Sequence, residues 1–426
     1  MNKKKLIILT FLLLLPTFLF PQTPEQMSKL YEYFSNKDTQ AAITFSYGIL
    51  DSDPENSYIM YVLAWAYAME NDIDSSLTWI EKSIMHGNTD YLEFKRDSDF
   101  EAVHSHPEFN ELMELGKQQA IKKNEEKAIH LKTGEWNNFE LESQYDLPKI
   151  DMSLSFDHEN FYIKAMVNDV HFKDGNRAWR YGDGFFINIA NPVDFDSVYT
   201  DRFYAYGFCL ENGKPIAVLV NKDGTYYLGS VPELIPKIDV DQERNQANYL
   251  ITIPWSRLHP FHPLMDQKAG INIRYTSQND DRSRKRLQYM EDNHFDSEST
   301  KLRRYVPLYF EQSPKSALHI TGKLETRLIS SDHANVKIAT WAPEDLSVKF
   351  SFTIKDKDEK KVLETTFTQK LSSGRSLIER EIKLPKPEGF YHLQVSLDKK
   401  VRWNDSFFKF DQSALAKMKS GIQQLA

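Results

Sequence analysis

The spacing of apolar residues changes near residue 132, and this change limits what the chain can fold into more than any other feature of its sequence. From Pro24 to about Lys127 glycine and proline are scarce, and apolar residues recur three and four positions apart, which predicts packed helices. After Lys132–Trp136 apolar and polar residues alternate, which predicts half-buried strands. Strands and helices do not alternate beyond this point. The pattern therefore predicts antiparallel β-sandwiches and argues against a Rossmann unit.

The first 22 residues predict an export segment. Lysines occupy positions 3 to 5, and an apolar run from Leu6 to Phe20 follows, interrupted only by Thr10, Pro16 and Thr17. This order is typical of a signal peptide, and about fifteen apolar residues is short for a spanning helix, which needs roughly 20. No small-x-small triplet marks a cleavage site, so a cleaved signal peptide and an N-terminal membrane anchor both stay open. We expect a protein exported to the periplasm, the cell surface or the extracellular space.

Composition narrows the class of ligand. The net charge is −8 and the pI is near 5.9, which argues against nucleic acid because phosphate binding needs a basic face. Cys209 is the only cysteine, so an intrachain disulfide framework and a multi-cysteine metal site are excluded. Aromatic residues make up 13% of the chain, with 7 Trp and 21 Tyr. This content favours β-rich modules and also suits sugar-binding surfaces, although most of these rings are expected in sandwich cores.

Residues 23–129 carry a helical pattern with a period of 34 residues. Packing positions recur in two copies, at Leu30, Tyr33, Ala42 and Ile49 and again at Ala64, Tyr67, Ser76 and Ser83. These segments resemble the tetratricopeptide repeat family over about 65 residues, and residues 97–109 look like the segment that caps short arrays. The resemblance implies a small solenoid that contacts another protein. A plain helical spacer is the alternative.

Residues 130–312 predict an antiparallel sandwich. The order of several short segments is informative about the type of sandwich: Leu154–Asp157, Phe161–Lys164, Val167–Asp169, Trp179–Phe185, Tyr249–Leu258, Gly270–Ile273 and Asp280–Asp281. With this order the region resembles the family 9 carbohydrate-binding modules. The shared features are a strand ending in an acidic residue, a Trp followed shortly by Asp, and a late Ile-Pro-Trp turn. The resemblance implies a β-sandwich that binds glycan ends or chains, often beside structural calcium.

The same resemblance points to candidate sugar-binding residues. Trp179 and Tyr181 precede a predicted strand, where an exposed ring can stack on a sugar, and Arg180 can supply a polar contact. Trp255 and Tyr204 are secondary candidates. The alternatives are that Trp179 plugs the end of the sandwich and that Trp255 packs under its loop. Where the sugar-binding members have an outward acidic residue on the strand after Trp179, this chain has Asn188 nearby.

Aspartates at strand ends suggest a structural calcium site. Asp169, Asp183 and Asp280 flank predicted strands, and calcium takes six to eight oxygen ligands, which carboxylates on neighbouring loops provide. The alternative is that these aspartates cap turns.

Residues 317–411 predict a second β-sandwich of immunoglobulin or fibronectin type, because Val348, Phe350, Phe352 and Ile354 alternate with polar residues. Residues 412–426 predict a short helical tail. The predicted fold class is therefore multidomain α + β: a short helical repeat module, an antiparallel sandwich of carbohydrate-binding type and an immunoglobulin-like sandwich.

These observations predict an exported, non-catalytic protein that binds a poly- or oligosaccharide and contacts a protein partner through its helices. No Gly-x-Ser-x-Gly elbow, His-Glu-x-x-His helix or phosphate loop occurs, so an enzyme is not expected. A role as accessory component of a glycan-degrading system stays open. Two alternatives remain: a haem-binding electron-transfer sandwich with Met166 and His171 as nearest ligand candidates, and an envelope adaptor that binds no sugar.

Overall fold

A computed structural model describes part of the chain. The described residues are 24–88, 91–141, 149–168, 183–190, 203–222, 225–259, 261–278, 285–289, 305–312 and 317–411. The predicted export segment 1–22 and the predicted tail 412–426 lie outside them, and both stay predictions. Among the helices in these ranges, none combines the length and the apolar character that crossing a bilayer requires.

The N-terminal part of the described chain is helical. The helices are α1 (Pro24–Ser35), α2 (Thr39–Ser52), α3 (Ser57–Met69), α4 (Ile73–Met85), α5 (Tyr91–Arg96), α6 (Glu101–His104) and α7 (Pro107–Glu126), with a 3₁₀ turn at Ser98–Phe100. Asp38, Asn56 and Asp72 begin α2, α3 and α4, because each side chain accepts a hydrogen bond from a backbone N–H of the first turn. The short connections place consecutive helices against each other.

Small residues let α3 and α4 approach closely. Ser76 and Ser83 are fully buried, and their hydroxyls donate to the carbonyls of Ala64 at 2.8 Å and Ser57 at 2.7 Å. The 3₁₀ turn closes the module, since Tyr61 and Trp65 of α3 donate to the carboxylates of Asp97 at 3.2 Å and Asp99 at 2.8 Å. The serines therefore occupy the close-packing positions that the repeat pattern predicts for small residues.

Two facing sheets form the central sandwich. The large sheet has the order β1-β13-β11-β5-β6-β7-β8, with β12 beside β11, and the small sheet has the order β2-β3-β4-β10-β9. Their strands are β1 (Ile129–Lys132), β2 (Asn137–Leu141), β3 (Lys149–Phe156), β4 (Asn160–Asn168), β5 (Gly184–Ala190), β6 (Phe203–Glu211), β7 (Lys214–Lys222), β8 (Thr225–Ser230), β9 (Lys237–Asp241), β10 (Gln246–Pro254), β11 (Lys268–Gln278), β12 (Lys285–Tyr289) and β13 (Val306–Glu311). Between β10 and β11 lie a 3₁₀ turn, Trp255–Leu258, and the short helix α8 (Pro263–Asp266).

Alternation along the strands decides which side chains enter the core. On β4, residues 161, 163, 165 and 167 are buried and the residues between them are more exposed. Ile187 of β5 and Ile273 of β11 belong to the same core cluster as Ile163, so the residues next to them in sequence point to the outer face of the large sheet. That outer face carries the candidate site.

A second sandwich follows. It contains β14 (His319–Leu324), β15 (Leu328–Ile329), β16 (His333–Ala342), β17 (Leu346–Asp356), β18 (Lys361–Leu371), β19 (Gly374–Lys383), β20 (Gly389–Leu397) and β21 (Lys400–Lys409). Three strands in the order β14-β16-β19 face five in the order β15-β21-β20-β17-β18, around a core that includes Ile338, Phe350 and Leu393. The protein is thus a multidomain α + β structure with β-sandwich domains, as the alternation predicts.

Polar contacts join the modules. Glu125 at the end of α7 accepts hydrogen bonds from Lys268 at 2.9 Å and from the Tyr309 hydroxyl at 2.7 Å, both on the large sheet. On the other side, Arg375 of β19 donates to the carbonyls of Leu264 and Met265 in α8, each at 2.6 Å. These bonds tie the central sandwich to both of its neighbours.

Candidate functional site

Trp255, a sequence candidate for stacking on sugar, lies in the core. This residue is 4% exposed, and its Nε1 donates to the carbonyl of Asp157 at 2.8 Å. Phe156, Phe161 and Phe310 contact the ring at centroid distances of 6.3, 5.9 and 5.6 Å. The prediction that Trp255 binds sugar is therefore corrected: the ring packs under its loop, because its apolar body packs among aromatic side chains and its N–H donates to a part-buried carbonyl.

Tyr204 is also a core residue. Tyr204 and Tyr206 are 7% and 2% exposed, and their rings lie parallel, 6.1 Å apart, with an interplanar angle of 3°. The Tyr204 hydroxyl donates to the carbonyl of His259, and the Tyr206 hydroxyl donates to that of Arg257 at 2.8 Å. Burial raises the pKa of Tyr206 above its ordinary value. The assignment of Tyr204 to a sugar site is corrected, since both tyrosines hold the turn after β10.

Most of the other candidates lie outside the described residues. These are Trp179, Arg180, Tyr181, Asp169 and Asp280, together with His171 of the haem alternative. Asp183 is described, is fully buried and directly precedes β5. Within the described ranges, no three His, Cys, Asp or Glu side chains converge as metal ligands. The stacking role of Trp179 and the calcium site stay predictions.

Two asparagines lie side by side on the outer face of the large sheet. Asn188 of β5 and Asn272 of β11 are register partners, so their Cα atoms are about 4.5–5.5 Å apart. They are 1% and 3% exposed. Their neighbours Ile187 and Ile273 point into the core, so both amides point away from it. Buried amides on this outer face need polar partners, because a buried polar atom without one costs about 1–3 kcal/mol.

The side chain of Asn188 uses only part of its hydrogen-bonding capacity. Its side chain forms a hydrogen bond with Tyr305, a residue that is 1% exposed, and burial raises the pKa of that tyrosine while this bond acts in the opposite direction. The side-chain oxygen of Asn188, Oδ1, is thus a buried acceptor without a partner among the described residues.

Arg274 completes the arrangement. It lies two residues after Asn272 on the same face of β11, is 2% exposed, and its guanidinium carbon is 4.7 Å from the ring centroid of Phe186 on β5. Phe186 and Arg274 are register partners. We refer to Asn188, Asn272 and Arg274 as the amide–arginine face. It comprises two amides, each of which has donor and acceptor atoms, and a planar guanidinium.

The amide–arginine face adjoins the predicted sugar-binding segment in sequence, because β5 begins at Gly184, directly after Trp179–Asp183. Sequence reasoning noted Asn188 but missed Asn272 and Arg274. A signal was present: Asn272 and Arg274 alternate with Ile271, Ile273 and Tyr275 in a strand whose polar positions carry large hydrogen-bonding groups.

No protein-family model matches the chain, and no curated protein does. Solved structures are similar to parts of it. A family 9 carbohydrate-binding module from Caldicellulosiruptor kristjanssonii in complex with glucose is 15% identical, with a TM-score of 0.34, over 45% of this chain and 98% of that one. The same organism's family 9 module in complex with cellotriose is 15% identical, with a TM-score of 0.34, over 45% and 96%.

A glycosyl hydrolase family 2 member from Bacteroides cellulosilyticus is 11% identical, with a TM-score of 0.19, over 59% of this chain and 28% of that one.

Proposed function

We propose that this chain is a non-catalytic carbohydrate-binding protein and that its amide–arginine face contacts the sugar. The observation that carries the proposal is the pair of buried amides, Asn188 and Asn272, side by side on the outer face of the large sheet. Sugar hydroxyls both donate and accept hydrogen bonds, and a primary amide matches both roles. The buried acceptor Oδ1 of Asn188 suits a hydroxyl donor.

Stacking rings complete the proposed site. Trp179 and Tyr181 belong to the segment directly before β5, and we assign to them the apolar contact with the sugar ring, with Arg180 as a further polar group. A few convergent polar groups beside aromatic rings are a common design for small-molecule sites. The sequence resemblance to family 9 carbohydrate-binding modules supports the same region. A structural calcium ion held by Asp169, Asp183 and Asp280 is part of the proposal.

The helical module is proposed to bind a protein partner as a short tetratricopeptide-like array. The 34-residue spacing of its packing positions supports this assignment, as do the buried hydroxyls of Ser76 and Ser83, which bring α3 and α4 close together. We further propose export by residues 1–22 and an immunoglobulin-like type for the C-terminal sandwich. Under these proposals the chain lies outside the cytoplasm and links a glycan to a protein.

The test is a calorimetric titration of the full chain with cellotriose and with a panel of plant, algal and bacterial oligosaccharides, with and without calcium. We expect Asn272→Ala and Trp179→Ala each to weaken binding at least tenfold, about 1.4 kcal/mol. Asn404→Ala is the matched control, because Asn404 is an exposed strand asparagine of the other sandwich. Thermal melts verify folding. Failure of the wild-type chain to bind any sugar in the panel would overturn the proposal and favour the adaptor alternative.

A further inference from the structure

A groove crosses the outer face of the small sheet. It encloses about 1030 Å³ and runs across the strands. Its floor follows one row of register partners whose side chains point inward, namely Phe139, Met152, Ala165, Tyr249 and Ile238. Outward-pointing residues flank this row on both sides. The groove spans five strands, hence four interstrand spacings of about 4.8 Å, or roughly 19 Å.

The two walls carry complementary groups. One wall consists of Asn138, Ser153, Lys164, Leu250 and Lys237, and the other of Asp151, Met166, Asn248 and Asp239. The two lysines stand on one wall and the two aspartates on the other, so these charges cancel. Lys149 also lies 3.6 Å from Asp151. A neutral ligand fits this groove better than a nucleic acid or another polyanion does.

Apolar side chains lie among the hydrogen-bonding groups of both walls. Met166 and Leu250 are half-buried, on strands β4 and β10 that pair directly. Asn138 and Asn248 are exposed, and Ser153 donates to the Oδ1 of Asn138 at 2.6 Å. Apolar side chains flanked by amides and hydroxyls suit a ligand that alternates C–H faces with hydroxyl groups.

An indole ring lies at one end of this face. Of the tryptophans in the part of the chain that the structure describes, Trp136 is the exposed one, at 39%. Its ring centroid is 3.8 Å from the Nζ of Lys164, on the groove wall, and 6.3 Å from the ring of Tyr162. The contact with Lys164 fixes the orientation of the indole. Part of the ring remains open to solvent, where the apolar face of a sugar can stack on it.

We propose that this groove binds an extended, neutral polysaccharide chain, as a second carbohydrate site on the sheet opposite the amide–arginine face. The roughly 19 Å length argues for several sugar units, whereas the buried amide–arginine face suits a single sugar or a chain end. This inference takes its ligand class from the proposed function but uses none of the same residues. A protein with both sites binds a polysaccharide at two points, which raises the avidity of the protein for the polysaccharide.

The experiment is affinity electrophoresis of the full chain through gels containing soluble neutral polysaccharides, such as hydroxyethylcellulose, mixed-linkage glucan and xyloglucan, alongside calorimetry with cellotriose. Trp136→Ala should lower polysaccharide affinity about tenfold and leave cellotriose binding unchanged. Asn248→Ala, a substitution at an exposed groove position, should act in the same direction with a smaller effect and guards against misfolding of the tryptophan variant. Asn404→Ala serves as the control outside both sites.

The outcomes separate the two proposals. Loss of polysaccharide affinity in Trp136→Ala and Asn248→Ala supports the groove, whatever Asn272→Ala does. If Asn272→Ala abolishes binding while both groove variants retain it, the groove is overturned and the proposed function stands. If a peptide library but no polysaccharide binds in a Trp136-dependent way, the occupant is a protein segment and the inference is wrong. If the wild-type chain binds no glycan, both proposals fail.

Discussion

His158 of the central sandwich stacks face to face on His319 of the C-terminal sandwich, with ring centroids 3.2 Å apart and an interplanar angle of 12°. His262 donates from its Nε2 to the carbonyl oxygen of His158 at 3.2 Å, so this nitrogen carries the proton. Three imidazoles therefore meet where the two sandwiches join.

Protonation of this cluster is disfavoured in the folded protein. Burial is the main cause and lowers the pKa of His158 and of His262 to about 4, and it also lowers the pKa of His319. The charge of His319 acts in the same direction on His158, whereas Asp157 opposes it. Arg402 lowers the pKa of His319 further.

We predict that acid loosens the protein at this junction. In the unfolded chain the pKa of histidine is about 6.5, so between pH 6.5 and 4 the unfolded state binds more protons than the folded state. The stabilising contribution is complete above pH 6.5 and is lost progressively as the pH falls to 4. For the deeply buried His262 it is on the order of 2 kcal/mol. Urea unfolding followed at pH 7.5, 6, 5 and 4.5 measures this slope.

Replacement of one histidine tests the assignment. His262 begins α8, where its Nδ1 accepts from the N–H of Leu264 at 3.2 Å; His262→Asn keeps an N-cap acceptor but removes the titrating group. This variant should show a shallower loss of stability with acid than the wild type. His333→Gln, at an exposed position at the start of β16, should leave the slope unchanged. Equal slopes in His262→Asn and the wild type would show that acid acts elsewhere.

Removal of a single arginine should release the C-terminal sandwich. Arg375 donates to two carbonyls of α8, at 2.6 Å each, beside the apolar contact of Leu264 and Met265 with Ala339. Arg375→Met keeps an apolar stem but removes both charge-assisted bonds, at a cost of about 2 kcal/mol to the junction. We expect a larger radius of gyration in small-angle scattering and a separate unfolding transition for the second sandwich.

Arg380→Met provides the comparison for this experiment. Arg380 lies on the same strand but is exposed and contacts Gln369 within its own sandwich. It should leave both the radius of gyration and the number of transitions unchanged. Compact scattering and a single transition in Arg375→Met would mean that the remaining contacts hold the junction alone.

Tyr206→Phe should destabilise the central sandwich by about 1–2 kcal/mol. The substitution removes the hydroxyl that donates to the carbonyl of Arg257 at 2.8 Å and leaves that acceptor in a part-buried site, while the ring packing stays. Chemical denaturation measures the change. Tyr227→Phe, at a position that is 54% exposed, should change stability by less than about 0.5 kcal/mol.

Alternation along the strands allowed the β-sandwich architecture to be predicted from the sequence, because side-chain direction on a strand follows from spacing alone. The direction of the aromatic candidates was not predictable in this way. Trp255 faces the core because Asp157, almost a hundred residues earlier, presents a carbonyl to its N–H. The exposure of Trp136 follows from the register in which β2 pairs with β3. The sequence marked this tryptophan only as part of the boundary between two modules.

The contacts between modules were also beyond prediction from the sequence. Arg375 and Met265 are 110 residues apart. The sequence around an arginine in a strand does not indicate which distant carbonyl its side chain will contact. The burial of Ser76 and Ser83 agrees with the interpretation of their spacing as that of small packing residues on a helix. Local periodicity thus determines which face a residue occupies, whereas tertiary pairing determines what that face meets.

Two helical glycines should respond in opposite ways to the same substitution. A Cβ at Gly116 of α7 would lie 2.4 Å from the Cβ of Tyr91, whereas a Cβ at Gly48 of α2 would meet nothing within 4 Å. Alanine favours a helix over glycine by about 1 kcal/mol, so Gly48→Ala should stabilise the helical module by up to that amount. Gly116→Ala should destabilise it by about 1–3 kcal/mol, because α5 and α7 must separate. Thermal unfolding followed at 222 nm compares the two; a stabilised Gly116→Ala variant would show that these helices are less tightly packed than the distance between Gly116 and Tyr91 implies.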